Sequence, residues 1–265
     1  MEKIKDQVKL VTLTHVDTST GVLFDIKSAA KAIRQIAPNA LIAVDGVCAV
    51  GAEELRMTEW DIDAYLTGSQ KALGVPPGLS ISVIRPRALE RLNQLIAQGV
   101  LPRSYYANMS KWLPIMNAYE EKRVSYFATP AVSLIYALNV SLTQLLSNGG
   151  VEQRFAEHTN TANEFRKNIR ELGLNFVPLQ EEFAAHTMSA IRYPAFKPGV
   201  GPAEFLVECK KAGLICAGGL HALIKDQYFR VGHMGVSSRN PNHIQQALSA
   251  IKAALVICTP QQASI

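Results

Sequence analysis

The chain has 265 residues, of which 48% are hydrophobic and 18% charged, and its formal net charge is +5. This composition is ample for a packed core, and the mild basicity suits anionic small molecules but contains none of the basic runs of a nucleic-acid binder. No apolar stretch approaches the ~20 residues of a membrane span, and the first residues lack the composition of a signal or transit peptide, so we expect a soluble, by default cytoplasmic protein without nucleic-acid or membrane partners.

The first part of the chain predicts strands that alternate with helices. Apolar runs predict strands over residues 10–14, 41–44, 61–66 and 79–84. Between the first two, residues 25–37 carry apolar side chains at helical spacing, which predicts a crossover helix and a parallel sheet. Residues 87–98 predict a second helix whose stripe, Leu89, Leu92, Leu95 and Ile96, is typical of a core contact.

The second part predicts a different organisation. Residues 102–129 show no periodicity and are rich in aromatic side chains, which favours an irregular interface segment. A helix follows, and its end at Asn148-Gly149-Gly150 predicts a domain boundary between residues 1–148 and 149–265. Beyond it, the patterns predict a small α+β domain with helices over 151–172, 202–212 and 242–258 and strands over 175–178, 187–192 and 228–231.

Lys71 is the first candidate for chemistry. It lies in Thr67-Gly68-Ser69-Gln70-Lys71-Ala72-Leu73, after a predicted strand and before the Gly/Pro-rich turn of residues 74–78. Loops that leave the strands of an α/β sheet commonly bind ligands. A partly desolvated lysine amine there can attack a carbonyl and form a Schiff base. The alternative is a surface lysine whose stem covers apolar neighbours.

Asp45 is the second candidate, because it ends the apolar run Leu41-Ile42-Ala43-Val44. Ligands bind at the carboxyl ends of parallel strands. Pyridoxal phosphate requires a lysine for its aldehyde and an aspartate for its ring nitrogen, and Lys71 and Asp45 supply this pair. A helix N-cap or turn residue is the alternative for Asp45. The hydroxyl-rich loop His15-Val16-Asp17-Thr18-Ser19-Thr20-Gly21-Val22 can supply donors to a phenolate or carboxylate.

These motifs occur in an order that resembles a known family. The His15 to Val22 loop, the run Val44 to Gly51 and the run Gly68 to Leu73 resemble the class V aminotransferases, in particular the fungal alanine-glyoxylate and serine-pyruvate enzymes. The similarity continues through Tyr126-Phe127-Ala128-Thr129-Pro130, Ala217-Gly218-Gly219 and Phe229-Arg230-Val231-Gly232-His233-Met234-Gly235. It therefore extends over nearly the whole chain.

The resemblance implies an α/β protein of fold type I, with part of a large domain built on a mainly parallel sheet and a small C-terminal α+β domain. It implies a homodimer that depends on pyridoxal 5'-phosphate and transaminates alanine or serine with glyoxylate through a Schiff base at Lys71. Such a reaction makes glycine, and peroxisomal or mitochondrial enzymes of this kind are known in the family.

Roles for individual residues follow from the same resemblance. Lys71 and Asp45 are the implied catalytic residues, and Val47 would pack against the cofactor ring. Ser19 would reach the phenolic oxygen and Gln70 the phosphate. Tyr126 and Thr129 match positions that reach the phosphate of the partner subunit's cofactor, and Arg230 matches the arginine that binds the substrate α-carboxylate.

One departure from the family leaves alternatives open. By resemblance, the chain begins about a third of the way into the usual length, and no glycine cluster follows a strand and opens a helix as a phosphate-binding loop should. A non-catalytic fragment, or a remnant that pairs with a complete homologue through residues 105–129, is one alternative. A related lyase of the cysteine desulfurase kind is another, although neither Cys209 nor Cys216 resembles its mobile nucleophile. The cysteines show no zinc-site spacing, so no metal is expected.

Overall fold

The computed structural model describes residues 7–260. In chain order its strands are β1 Leu10–Thr14, β2 Val16–Asp17, β3 Val22–Leu23, β4 Leu41–Asp45, β5 Ala64–Gly68, β6 Ser80–Ile84, β7 Met188–Arg192, β8 Ala217–Gly218 and β9 Tyr228–Gly232. The helices are α1 Ile26–Ile36, α2 Pro86–Ala97, α3 Met109–Glu120, α4 Val132–Ser147, α5 Gly150–Glu171, α6 Pro202–Lys211 and α7 Pro241–Cys258.

The first sheet has the order β1-β4-β5-β6. β1, β4 and β5 run parallel, and β6 joins the edge antiparallel to β5. The crossover helix α1 begins at Asp25, whose side chain accepts a hydrogen bond from the Ser28 amide. Its apolar face packs on β4, which confirms the predicted parallel unit. The carboxyl ends of three neighbouring strands consequently lie at one edge of the sheet.

The second sheet is antiparallel, with the order β7-β9-β8. It supports the larger core, in which Phe165 of α5, Phe205 of α6 and Ile251 of α7 pack with Phe229 of β9. The strand predicted over residues 175–178 is wrong, because that segment makes a single bridge, Phe176 to Ile191, and no ladder. The other predicted elements of this half are present.

Two predictions for the middle of the chain are corrected. The segment expected to be irregular, 102–129, contains α3, which sequence periodicity did not indicate because Pro114 lies inside it and its apolar residues form no clear stripe. The stripe of α2 was predicted to be core, yet no residue of α2 is buried. Leu89, Leu92, Leu95 and Ile96 are only half-buried, since the described residues cover α2 only in part.

The junction between the two sheets lies where α4 is followed by α5. Gly149 adopts a left-handed conformation there, with φ of 87°, which favours glycine. Hydrogen bonds cross this junction, as between Arg154 of α5 and Ala72 beyond β5. The division into domains at residue 148 stays a prediction. Within residues 7–260, no helix is both long and apolar enough to cross a bilayer.

Candidate active site

Asp45 and Lys71 lie at the same edge of the first sheet. Asp45 is the last residue of β4, where it pairs with Thr14 of β1 and Leu66 of β5. β5 ends at Gly68, and Lys71 follows in a turn in which the Gly74 amide donates to the Lys71 carbonyl at 2.9 Å. Asp45 is exposed and Lys71 half-buried, so both side chains are open to a ligand.

The turn after Asp45 is fixed by that residue's own side chain. Oδ1 of Asp45 accepts a hydrogen bond from the Val47 amide at 2.9 Å. The Gly46 amide donates to the carbonyl of Leu66 at 2.9 Å and ties the turn to β5. Oδ1 of Asp45 therefore stabilises the turn, and among the described residues the turn makes no hydrogen bond to Oδ2. Val47 is half-buried and packs against a small core that contains Cys48.

Ser19 lies in the loop between β2 and β3, which Asp17 organises. The carboxylate of Asp17 accepts hydrogen bonds from the Ser19 amide at 2.8 Å and from the Thr20 hydroxyl at 2.6 Å. Burial raises the pKa of Asp17, but these hydrogen bonds outweigh it and the pKa is lowered. Thr18 Oγ1 lies 3.1 Å from Cys48 Sγ, so this loop contacts the turn that follows Asp45.

Arg230 of β9 reaches the same loop from the second sheet. Its Nε donates to the Gly218 carbonyl at 2.9 Å, and its Nη1 donates to the Thr18 carbonyl at 3.1 Å, across 212 residues of sequence. The hydroxyl of Tyr228 donates to the Ser19 carbonyl at 2.5 Å. The structure therefore brings the predicted Ser19 and Arg230 together.

Gln70 folds back over Gly68. Its Oε1 would lie 2.7 Å from a Cβ placed on residue 68, so glycine provides the space that this side chain uses. Gln70 is exposed, immediately before Lys71.

Tyr126 and Thr129 stand apart from the rest. Tyr126 is 70% exposed, and Thr129 is also exposed. Their neighbour Phe127 belongs to an aromatic cluster in which its ring lies 4.6 Å from that of Trp112. In the part of the chain that the structure describes, no hydrogen bond or ring contact joins Tyr126 or Thr129 to the other candidate residues.

The two histidines that flank the candidate residues are packed, as the simpler interpretation of the sequence has it. Nδ1 of His15 lies 2.6 Å from the Tyr65 hydroxyl, and burial lowers the pKa of His15. His233 pairs with the Ser189 hydroxyl at 3.0 Å, and burial lowers its pKa to about 3. Both rings are therefore neutral near pH 7.

Sequence reasoning missed Tyr228 and Arg154. Tyr228 precedes Arg230 by two residues on one strand, so the two side chains share a face, and that spacing could have indicated it. Arg154 gave no signal, because the Ala72 carbonyl that it binds lies 82 residues away.

A cavity of about 640 Å³ lies away from the predicted site residues and is not the basis for locating the candidate site. His15, Glu53, Trp60, Phe155 and His186 are among its lining residues, and none of the eight predicted site residues lines it. The candidate site lies at the strand ends, because Asp45 and the turn of Lys71 follow the carboxyl ends of adjacent parallel strands there.

The burial of the cysteines bears on the desulfurase alternative, and the arrangement of potential ligand side chains bears on a metal site. Cys48, Cys209 and Cys258 are buried and Cys216 is half-buried, so none is the exposed loop nucleophile that the desulfurase alternative requires. Within residues 7–260, no group of three or more His, Cys, Asp or Glu side chains is arranged to hold a metal.

Comparison with known proteins decides the family. The model of the aminotransferase class-V family matches residues 1–232. The chain belongs to this family. It is 38% identical to alanine–glyoxylate aminotransferase 1 of Saccharomyces cerevisiae over 92% of the chain, and 31% identical to L-aspartate–glyoxylate aminotransferase of Paracoccus denitrificans over 86% of the chain. The chain spans 63% and 54% of the lengths of these two proteins, respectively.

Structural comparison supports the fold type. The crystal structure of pyridoxamine–pyruvate aminotransferase from Mesorhizobium loti superimposes with a TM-score of 0.81 at 27% identity, covering 96% of this chain and 63% of that one. The chain thus has the predicted α/β architecture of fold-type I transferases, with part of the α/β domain present.

The residues present fit the cofactor of this family, pyridoxal phosphate. An exposed carboxylate, a half-buried lysine amine and a hydroxyl-bearing loop follow three adjacent parallel strands. Such groups would supply a base for the ring nitrogen, a nucleophile for the aldehyde and donors for the phenolic oxygen of the cofactor. Arg230 beside the loop adds a cation for a carboxylate.

Proposed function

We propose that this chain carries the lysine and the ring-binding part of a pyridoxal phosphate dependent aminotransferase that acts on alanine or serine with glyoxylate. The observation that carries the proposal is the position of Asp45 and the Lys71 turn at the carboxyl ends of β4 and β5, with the Ser19 loop in contact with the turn after Asp45. The glyoxylate substrate rests on the names of the relatives, such as the enzyme of Saccharomyces cerevisiae.

Lys71 acts through Nζ. The bound cofactor supplies an electron sink for negative charge at the substrate α-carbon. Nζ of Lys71 would hold the cofactor through its aldehyde. Once released from it, the same amine would act as the general base and acid that moves the proton from the substrate α-carbon. Asp45 would hold the proton on the ring nitrogen, since its carboxylate is exposed to a ligand.

Arg230 binds and orients the substrate. Its guanidinium is held in place by the carbonyls of Gly218 and Thr18, and its remaining N–H donors serve the α-carboxylate. The Ser19 hydroxyl would donate to the phenolic oxygen of the cofactor, and Gln70 would donate to its phosphate. Val47, in the turn that Asp45 shapes, would pack on the ring face.

We also propose that two copies of the chain pair through α4 and residues 105–129. The exposed apolar side chains of α4 support this, since they are more numerous than a solvated helix needs; they are Val132, Ile135, Tyr136, Val140, Leu142 and Leu146. Tyr126 and Thr129 would then be available to the partner's cofactor. Sedimentation velocity tests the pairing: a Tyr136→Arg variant should be monomeric where the wild type is a dimer, and a monomeric wild type would refute it.

Covalent trapping tests the site. The purified chain is incubated with pyridoxal phosphate, reduced with borohydride and mapped by peptide mass spectrometry. The stable pyridoxyl group should lie on Lys71, and a Lys71→Ala variant should lose it. Lys111 is the control, because it lies over the Tyr105 ring and far from the strand ends in sequence, and a Lys111→Ala variant should keep the label on Lys71. Label spread evenly over the lysines would contradict the proposed site. Transamination of alanine with glyoxylate is then assayed directly.

A further inference from the structure

The two residues after Lys71 are held by side chains from later helices. Ala72 and Leu73 are buried, with 1% and 9% of their surfaces exposed. Nη2 of Arg154, in α5, donates to the Ala72 carbonyl at 2.9 Å. The hydroxyl of Ser141, in α4, donates to the Leu73 carbonyl at 2.5 Å. Consecutive carbonyls after Lys71 are therefore fixed by two different helices.

Arg154 is well placed to act as a fixed donor. It is 5% exposed. Its Nη1 lies 3.1 Å from Oε2 of Glu157, and the same oxygen accepts a hydrogen bond from Nε of Arg239 at 2.7 Å. A buried guanidinium that pairs with a carboxylate and a carbonyl has little freedom to move, because each lost contact would leave a buried charge unsatisfied. The Ala72 carbonyl is thus held by a rigid group.

Gly235 closes the arrangement from the other side. A Cβ on residue 235 would lie 3.5 Å from the Lys71 carbonyl oxygen, so this backbone packs directly on the lysine. The Gly235 amide donates to Nε2 of His158 at 3.1 Å. Nδ1 of His158 lies 2.8 Å from the Arg154 carbonyl and donates to it. Arg154, His158 and Gly235 therefore form one connected support around the Lys71 backbone.

We propose that Arg154 is a positioning residue for Lys71: it sets the backbone from which the amine reaches the cofactor and the substrate α-carbon. This inference rests on the proposed function for its catalytic consequence. Reactions that depend on positioned groups lose about 100-fold in rate for a displacement of about 1 Å. Loss of the Arg154 contact should therefore lower kcat, while KM for the amino acid, which depends on Arg230, should change little.

Hydrogen exchange tests the positioning without cofactor. In an Arg154→Gln variant, the amides of Gly74 and Val75, which close the turn on Lys71 and Ser69, should exchange about 10-fold faster, whereas the amides of α1 should keep their wild-type rates. The matched control is Arg239→Gln, which removes the other partner of Glu157 and leaves the bond to Ala72 in place. Unchanged exchange at Gly74 and Val75, or equal acceleration throughout the chain, would overturn the proposal.

A second variant keeps the proposal testable if Arg154→Gln does not fold. Ser141→Ala removes the donor to the Leu73 carbonyl without leaving a buried charge. It should accelerate exchange in the same turn by a smaller factor, and no change there would also count against a positioned segment.

Trapping with pyridoxal phosphate and borohydride tests the consequence for the amine. The share of label on Lys71 should fall about 10-fold in Arg154→Gln at equal folded fraction, and Arg154→Lys, which keeps a donor for Ala72, should restore part of it. Equal labelling of Lys71 in the wild type and Arg154→Gln would refute the catalytic role. Absence of label from Lys71 in the wild type would refute the proposed function, and hydrogen exchange would still decide whether Arg154 holds the turn.

Discussion

Tyr65 fills the space beside Gly46. A Cβ on residue 46 would lie 1.9 Å from Cε1 of Tyr65, so any larger residue would collide with the ring. The ring itself cannot easily yield, since it is 4% exposed and its hydroxyl pairs with Nδ1 of His15 at 2.6 Å. Burial also raises the pKa of Tyr65, which keeps its hydroxyl protonated. The turn that presents Asp45 is therefore built on a glycine.

Replacement of Gly46 by alanine should destabilise the protein by about 1–3 kcal/mol, because either the Tyr65 ring or the turn must move. Urea denaturation measures the change as a lower midpoint. Gly232→Ala is the control, since a Cβ on residue 232 meets no atom within 4 Å, and it should change stability by less than about 0.5 kcal/mol. Equal urea midpoints for the two variants would contradict this prediction and show that the Tyr65 ring moves without loss of stability.

A network of ion pairs around Asp63 supports the second prediction. Asp63 is 1% exposed and accepts hydrogen bonds at 2.7 Å each from the Ile42 amide, Nη2 of Arg34 and Nε of Arg87. Asp63→Ala should cost about 1–3 kcal/mol, because it leaves the buried Ile42 amide without an acceptor and removes a carboxylate from Arg34 and Arg87. Glu59→Ala removes the partner of Lys27 in an exposed pair 3.8 Å apart and should cost less than about 1 kcal/mol. Similar losses in the two variants would contradict this account.

The free energy of unfolding should decrease as the pH is lowered, because of His158. Burial, the largest cause, lowers the pKa of His158 from 6.5 to about 4. Above pH 6.5 the ring is neutral in both folded and unfolded chains, so its contribution is complete. As the pH falls from 6.5 to 4, only the unfolded chain gains the proton, and stability decreases by about 3 kcal/mol for this residue.

The free energy of unfolding, measured in urea between pH 7 and 4, checks this expectation. A His158→Gln variant keeps a donor and an acceptor but no titrating group, so its stability should decline less steeply over that interval. Wild type and variant curves that stay parallel would exclude His158 as a source of the decline.

Arg230→Lys should weaken binding of the substrate carboxylate. A lysine cannot bond to Gly218 and Thr18 and still offer a planar pair of donors. In a transamination assay with alanine and glyoxylate, we expect KM for alanine to rise about 10- to 100-fold, the loss of a charged hydrogen bond, with a smaller change in kcat. Arg192→Lys is the control, since this arginine lies on the neighbouring strand and contacts Gln227. An unchanged KM in Arg230→Lys would remove Arg230 from the site.

Local patterns were sufficient for much of the fold. The apolar run that ends at Asp45 and the helical spacing of α1 predict a parallel unit, and parallel strands necessarily bring their carboxyl ends to one edge. Both Asp45 and the turn of Lys71 follow from that geometry. The role of each residue at that edge came from family resemblance and stays a prediction.

Contacts between distant segments were not predictable from local pattern. The bond of Arg230 to Thr18 spans 212 residues, and no periodicity encodes it. Helix α3 was not predicted because Pro114 lies inside it, and the exposure of α2 depends on which other segments pack against it, which its own apolar stripe does not specify. Tertiary context decided these features.

The two hydrogen bonds from β9 to the Ser19 loop mean that the proposed carboxylate site forms only when the two parts of the chain are in contact. Thr18 and Ser19 belong to the first part of the chain, whereas Arg230 and Tyr228 belong to the second sheet. A ligand that requires all of them binds only when both parts are joined, and by mass action it must then oppose their separation. A bound substrate carboxylate would in this way stabilise the contact between the two parts of the molecule.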